Sequence, residues 1–341
     1  MPGLTTQQNG GSLQLSTLNV INTLAASIFP SQGNIYFVNP QFGSDVGADG
    51  SRLKPFQTLA RALSQATAGQ NDIVFLEASS NSASLTTAYQ TALLDWNKDM
   101  VHLIGINSSP QFSSRSRIAF ASNYAAATDL FKLSANGCTI ANIEMFMGVT
   151  SALPTGCATI TGERNHFVKC QISGMGAATN DISGAYSLQL SGCDENLFED
   201  CVIGQNTVQL GAGTSNSVLL FTNVAGTGVA RNTFRNCRFE LDTSSATACL
   251  FLRSGATAMD REQTFEDCLF VNAVSSGSTT LTHAMAVATG TSPAGMIILT
   301  GSKTGLIGAS GWNTTASGNV FATGGNQPTN TTWGLATAVT S

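Results

Sequence analysis

From Asn34 onward the chain consists of short apolar segments set between runs of Gly, Ser, Thr and Asn. Ile35-Tyr36-Phe37-Val38 reads as a strand, broken by Asn39-Pro40 and followed by a turn-rich loop from Gly43 to Gly50. Lys54 to Leu63 then opens a helix, with Phe56, Leu59, Ala60, Leu63 and Ala66 in one apolar stripe and Gly69 closing it. Asp72 to Leu76 is the next strand. A second short helix is expected over 84–97, with Leu85, Leu93 and Trp96 on one side, and strands over 101–106, 117–120 and 130–133. Ahead of these elements lies a polar arm, residues 1–33, with one uncharged apolar segment from Leu13 to Phe29. Leu15, Leu18, Ile21 and Leu24 recur there at weakly helical spacing, and Pro30 ends the segment.

The centre of the chain repeats. Asn165-His166-Phe167-Val168-Lys169-Cys170-Gln171-Ile172 recurs at Asn196 to Ile203, at Asn232 to Phe239 and, with Gln263 in the Asn slot, at Gln263 to Phe270. A degenerate earlier copy puts Ile140 in the Phe slot and Ile143 in the Cys slot, and a weak last copy is Asn319-Val320-Phe321. A second strand recurs upstream of each full copy, at Cys157–Ile160, Tyr186–Leu190, Val218–Phe221 and Cys249–Leu252. A period near 30 with short strands and Gly/Ser/Asn turns predicts an all-β solenoid, each turn laying one strand on each of a few parallel sheets. Cys and the residue two places later share a face, so Cys170, Cys201, Cys237 and Cys268 form an interior ladder of small buried side chains. Phe167, Phe198, Phe234 and Phe265 stand an odd number of residues before each Cys, so a bend must separate Phe from Cys if both point inward. Asn165, Asn196 and Asn232 form an amide ladder bonded from turn to turn.

Composition narrows the function. Charged residues are 10% of the 341, net charge is −5 and no basic run exists, which argues against a nucleic-acid binder working by phosphate neutralisation and against a coiled coil. Hydrophobics at 42% argue against generic disorder. No apolar run is long enough to span a membrane, and Met1 to Thr6 lacks the pattern of a signal peptide. The eight Cys contain no CxxC pair and are read as reduced thiols of a protein made in a cytoplasm.

Carboxylates are the natural candidates for chemistry. Glu199-Asp200 and Glu266-Asp267 lie in the repeat. The column two before Cys reads Val168, Glu199, Arg235, Glu266, and the next reads Lys169, Asp200, Asn236, Asp267. Arg235 between two Glu, and Lys169 beside Asp200, point to charge-complementary rungs rather than an acid/base pair. No catalytic residue is therefore assigned, with Glu199, Asp200, Glu266 and Asp267 as fallback candidates. His166 holds a rung slot shared with Leu197 and Thr233. Asp45 and Asp49 lack further oxygen ligands at loop spacing, so no metal and no cofactor is expected.

Tyr36 to Pro40, the Gly/Asp loop, Pro55 to Leu63, Asp72 to Leu76 and the Asn-x-Phe-x-x-Cys-x-Ile rungs together resemble pectate-lyase-like right-handed parallel β-helix proteins over roughly residues 34–325. The resemblance implies an N-terminal strand and helical cap over 34–100, β-helix coils over 101–325 and a tail over 326–341, after the arm of 1–33. That superfamily spans polysaccharide lyases and hydrolases, phage tailspikes, and virion proteins without enzymatic activity. The clustered Asp by which its lyases hold calcium has no match here. With few Trp and Tyr in the repeat, the leading expectation is a phage virion structural protein: a capsid decoration or cement protein on the head surface, a homotrimer bound to the major capsid protein or another virion protein, with no nucleic-acid or membrane partner. In it the arm anchors through Leu15, Leu18, Ile21, Leu24 and Phe29. The alternative is a tailspike-type glycan-binding or glycan-degrading protein, the only reading that gives the chain a glycan partner; a cell-surface adhesin is third.

Overall fold

The computed structural model describes residues 33–77, 87–106, 116–120, 128–149, 155–174, 182–210, 213–255, 257–273, 277–287, 295–313, 320–323 and 337–338. Among them three sheets stack into a parallel β-helix, with eleven, eight and seven strands. The first sheet begins Ile35–Val38, Ile73–Leu76, His102–Gly105 and continues through His166–Val168, Leu197–Glu199, Thr233–Arg235 and Gln263–Glu266. The second contains Ser116–Phe120, Ile143–Phe146, Gln171–Ser173, Val202–Gly204 and Arg238–Leu241; the third contains Asp129–Leu133, Gly156–Ile160, Tyr186–Ser191, Asn216–Thr222 and Cys249–Ser254. Every sheet contact in the repeat is parallel and in register, Phe on Phe: Phe167 pairs with Phe198, Phe198 with Phe234, Phe234 with Phe265. The rungs start at Ile35, so solenoid strands already run through 34–100.

The bend demanded by the Phe–Cys spacing is a single residue in left-handed conformation. Asn142, Lys169, Asp200, Asn236 and Asp267 all have φ between 50° and 56°. Each non-glycine residue in that region costs about 1–2 kcal/mol, but the reversal lets Phe and Cys both face the interior. The Phe rings stack at centroid distances of 4.7, 4.6 and 4.8 Å. All four Phe are fully buried, and the four Cys are at most 2% exposed.

The Asn ladder works through a second left-handed corner. Arg164, Glu195 and Arg231, each just before an Asn, have φ of 55°, 58° and 53°. There the side-chain oxygens of Asn165, Asn196 and Asn232 accept from the backbone N–H of Cys138, Asn165 and Asn196, one turn earlier, at 2.8–2.9 Å. Asn196 and Asn232 also donate through Nδ2 to Asn232 and Gln263, both at 3.0 Å. These amides are the acceptors that buried main-chain donors at a corner require.

Several expectations are corrected. Residues 87–96 are two strands, Thr87–Gln90 and Leu94–Trp96, not a helix. Leu94 and Trp96 pair with Phe131 and Leu133 in the third sheet, and Trp96 donates through its indole N–H to the Val101 carbonyl at 2.8 Å. Leu93 is 39% exposed, and Leu85 lies outside the described residues. The first helix is shorter, Leu59–Gln65, because Lys54 precedes a proline and Phe56 is bonded into the edge of the first strand through Phe37 and Asn39. Thr58 caps it, and the buried stripe is Leu59, Ala62, Leu63 and Ala66, with Ala60 exposed. The helix packs against strands of the first turns, where its apolar face joins the main core. Val320, not Asn319, takes the slot of Gln263, so Phe321 falls on the outer face. Lys169 forms no ion pair with Asp200, which accepts instead from Asn236 Nδ2 at 2.5 Å. The arm residues Leu15, Leu18, Ile21, Leu24 and Phe29 lie outside the described residues.

Candidate functional site

On the outer face of the first sheet, the repeat carboxylates are engaged with cations. Arg235 Nη1 lies 2.8 Å from Glu199 Oε1, and its Nε lies 2.8 Å from Glu266 Oε2. Glu199 also meets His166 Nε2 at 2.7 Å. Glu266 and Glu199 hold the Arg235 guanidinium above its usual pKa. At the corner before it, Arg164 and Arg231 flank Glu195 at 2.7 and 2.9 Å, and the hydrogen bond from Arg164 leads in holding that carboxyl below its usual pKa. Glu199 and Glu266 sit two rungs apart with a guanidinium between them, so no substrate bond fits between the two carboxyls. Asp267 accepts from the backbone N–H of Lys303 at 3.0 Å, a structural use like that of Asp200.

Asp45 and Asp49 are likewise occupied. Asp45 Oδ1 accepts from the backbone of Gln57 and Thr58, and Oδ2 from the Thr58 hydroxyl at 2.7 Å, which fixes the helix entry. Asp49 accepts from the Ser51 N–H.

A groove lies elsewhere, on the outer face of the second sheet. Alternation points Tyr89, Arg117, Glu144, Phe146, Gln171 and Glu240 outward from five of six consecutive strands, and their register sets the order. Arg117 and Glu144 are direct cross-strand partners and form a two-point ion pair, Nε to Oε2 at 2.7 Å and Nη2 to Oε1 at 3.0 Å. The Arg117 guanidinium lies over the Phe146 ring, 5.1 Å from its centroid. Arg117 and Phe146 form the ridge between two cavities, both of which they line. One, of about 410 Å³, is lined by Tyr89, Phe120, Phe146 and Val149; the other, of about 280 Å³, by Glu144, Gln171, Gln205, Asn206 and Glu240.

The second cavity holds buried polar atoms without internal partners, among them the side-chain oxygens of Gln171 and of Gln205, a residue 4% exposed. Glu240 is 3% exposed, and burial raises its pKa against the pull of Arg238, whose Nε lies 2.5 Å away without hydrogen-bond alignment. Between Ser173 and Glu240 the column carries Gly204, φ 93°, where a Cβ would stand 2.1 Å from the Glu240 carbonyl oxygen. The groove therefore offers an aromatic wall, a paired guanidinium and unpaired amide acceptors, which suit a ligand rich in hydroxyl donors. Its two carboxyls, Glu144 and Glu240, are three strand spacings apart, about 14 Å. Paired carboxylates that cleave glycosidic bonds stand about 5–9.5 Å apart, so these two do not form such a pair.

None of these groove residues was singled out in the sequence. Their signal is the column just after each Cys slot, Glu144, Gln171, Val202 and Arg238, which is outward by parity. Tyr186, the one Tyr of the repeat, is 7% exposed and donates to Asp129 at 2.7 Å; burial raises its pKa, and the ring is no open platform for a sugar.

Neither a protein-family model nor a curated protein matches the sequence. Solved structures do match the fold. A pectin methylesterase in complex with a hexasaccharide superimposes with a TM-score of 0.57 at 13% identity, covering 89% of this chain and 92% of that one. Pectin methylesterase PemA from Erwinia chrysanthemi gives 0.57 at 12%, with the same coverage. Geobacillus virus E2 ORF18 covers 94% of this chain and 66% of that one at 12% identity, but its TM-score of 0.39 is too low to bear on the argument. At these identities the likeness shows the fold, a right-handed parallel β-helix, and leaves function to the residues.

Proposed function

We propose that this β-helix is a virion structural protein, a capsid decoration protein acting as a trimer on the head surface. The observation that supports it is the Glu199–Arg235–Glu266 rung: the outer glutamates of the repeat are spent on cross-strand ion pairs rather than left free for chemistry. Low charge and a surface rich in Ser, Thr and Ala suit packing against repeated copies. Quantitative mass spectrometry of purified particles tests this. Copies in the hundreds, spread over the shell, are expected; a few copies confined to the tail would replace decoration by a spike.

A second reading, glycan binding in the manner of a tailspike, is favoured by the groove around Arg117 and Phe146 with its unpaired Gln171 and Gln205 oxygens. The fold is shared with a pectin methylesterase whose structure holds a hexasaccharide. Binding of acidic and neutral oligosaccharides, abolished by Arg117→Ala, would support it. Release of reducing ends or ester groups from host polysaccharide would overturn the structural reading.

A further inference from the structure

The first sheet has one outer face, and its character changes along the solenoid. The charged column Glu199, Arg235, Glu266 runs back in register through Val168 and Ala141 to Ile104, Phe75 and Phe37. The column beside it begins with Ile35, Ile73 and His102. The first three rungs thus present six largely apolar side chains outward. They form a cluster separate from the solenoid interior, with Phe37 and Phe75 stacked at 5.4 Å.

This face is outside the solenoid, yet it is covered. Phe37, Ile73, Phe75 and His102 are only 3%, 4%, 6% and 3% exposed. Further along the same column the Arg235 and Glu266 side chains are 49% and 41% exposed. Burial draws the His102 pKa down to about 4, in keeping with a covered ring.

We propose that the cover is the apolar segment Leu13 to Phe29 of the same chain, seated on Ile35, Phe37, Ile73, Phe75 and Ile104. The chain enters the described structure at Gly33, beside this face, where the Asn34 N–H donates to Asp72 at 2.6 Å. Gly33 lies against the Asn71 carbonyl so closely that a Cβ would stand 2.2 Å from it, which presses the entering chain onto the first rungs. Seventeen residues reach about 25 Å even as a helix, while three rungs span two strand spacings, about 10 Å. The other stretches beside these rungs, 78–86 and 107–115, carry one large apolar residue each, Leu85 and Phe112, and are tied at both ends to strands of the first and second sheets. Only the arm brings Leu15, Leu18, Ile21 and Leu24 together. This seat gives those residues an intrachain partner, in place of the neighbouring subunit or shell expected from the sequence.

The test uses the full chain. Thr23→Cys is labelled with a nitroxide, which is selective because the native cysteines are buried, and the Ile methyl resonances are read by NMR. Broadening of Ile35, Ile73 and Ile104, with Ile297 and Ile307 unaffected, is the expected result. No broadening at the first three overturns the proposal. Broadening that also arises when labelled chain is mixed with unlabelled, isotope-enriched chain overturns it in favour of an arm from a second copy. As a second measurement, full-length Leu18→Asp/Ile21→Asp should keep its β-type circular dichroism and raise anilinonaphthalene sulfonate fluorescence several-fold; an unchanged signal counts against the seat.

Discussion

The thiol of Cys237 donates to the main-chain carbonyl of Phe198, one turn back along the solenoid, at 3.3 Å. The same bond joins Cys170 to Ile140, Cys201 to Phe167 and Cys268 to Phe234. The left-handed residue before each Cys turns the backbone at the corner, and the buried thiol reaches the carbonyl in the Phe slot of the preceding turn. Burial is the largest influence on Cys201 and Cys268 and raises their thiol pKa; it pushes Cys138 and Cys193 up to about 12. A bulky thiol reagent should therefore leave Cys170, Cys201, Cys237 and Cys268 unmodified in the native protein and label them after denaturation. Rapid native labelling of all four would refute the inward ladder. Cys237→Ala, which removes the buried thiol and its bond to the Phe198 carbonyl, should cost about 0.5–1.5 kcal/mol in chemical denaturation.

Phe234 lies in the middle of the aromatic stack, between Phe198 and Phe265, with Phe239 edge-on at 5.6 Å. Phe234→Ala removes three ring contacts and leaves a cavity. A loss of about 3–5 kcal/mol is expected from denaturant titration, and Phe234→Leu should lose less.

Glu199→Gln together with Glu266→Gln removes both acidic partners of Arg235. Because Arg235 is half exposed, water can take over its solvation, and the melting temperature should shift only slightly. On the virion role proposed above, particle assembly and infectivity should stay near wild type. Loss of a polysaccharide-degrading activity in this variant would make the two Glu catalytic.

His102 makes stability depend on pH. Its ring accepts from the Thr139 N–H at Nδ1 and faces the Asn71 side-chain oxygen at Nε2, a neutral tautomer. Its pKa is held near 4, below the ordinary 6.5, by burial. Between those values the unfolded chain takes up a proton that the native chain does not, so stability falls as pH drops from about 6.5 toward 4, by on the order of 3 kcal/mol. Glu240, whose pKa is raised, acts in the opposite sense. Denaturation midpoints measured across this range should fall for the native sequence and stay flatter for His102→Gln.

The interior was legible because each ladder position obeys strand parity plus one corner, and the spacing Asn-x-Phe-x-x-Cys-x-Ile carries both. Residues 87–96 were not legible, since Leu93 and Trp96 fit a helical face as well as a strand. The deciding contact, Leu94 on Phe131, is remote in sequence. The groove escaped for another reason. Its column changes residue type at every turn, Glu144, Gln171, Val202, Arg238, so repetition gave no signal, and Arg117 and Tyr89 precede the visible repeat.

Two residues join the first sheet to the second in four successive turns, after Val168, Glu199, Arg235 and Glu266. The return from the third sheet to the first varies from five residues after Ile160 to ten after Thr222. A residue added at the fixed corner would invert the parity of everything after it, while one added at the variable return only lengthens a loop. Grafted sequence, whether an epitope, a tag or the product of natural drift, is therefore tolerated on that return and excluded from the Phe–Cys seam. The shaft has a closed side and an editable one.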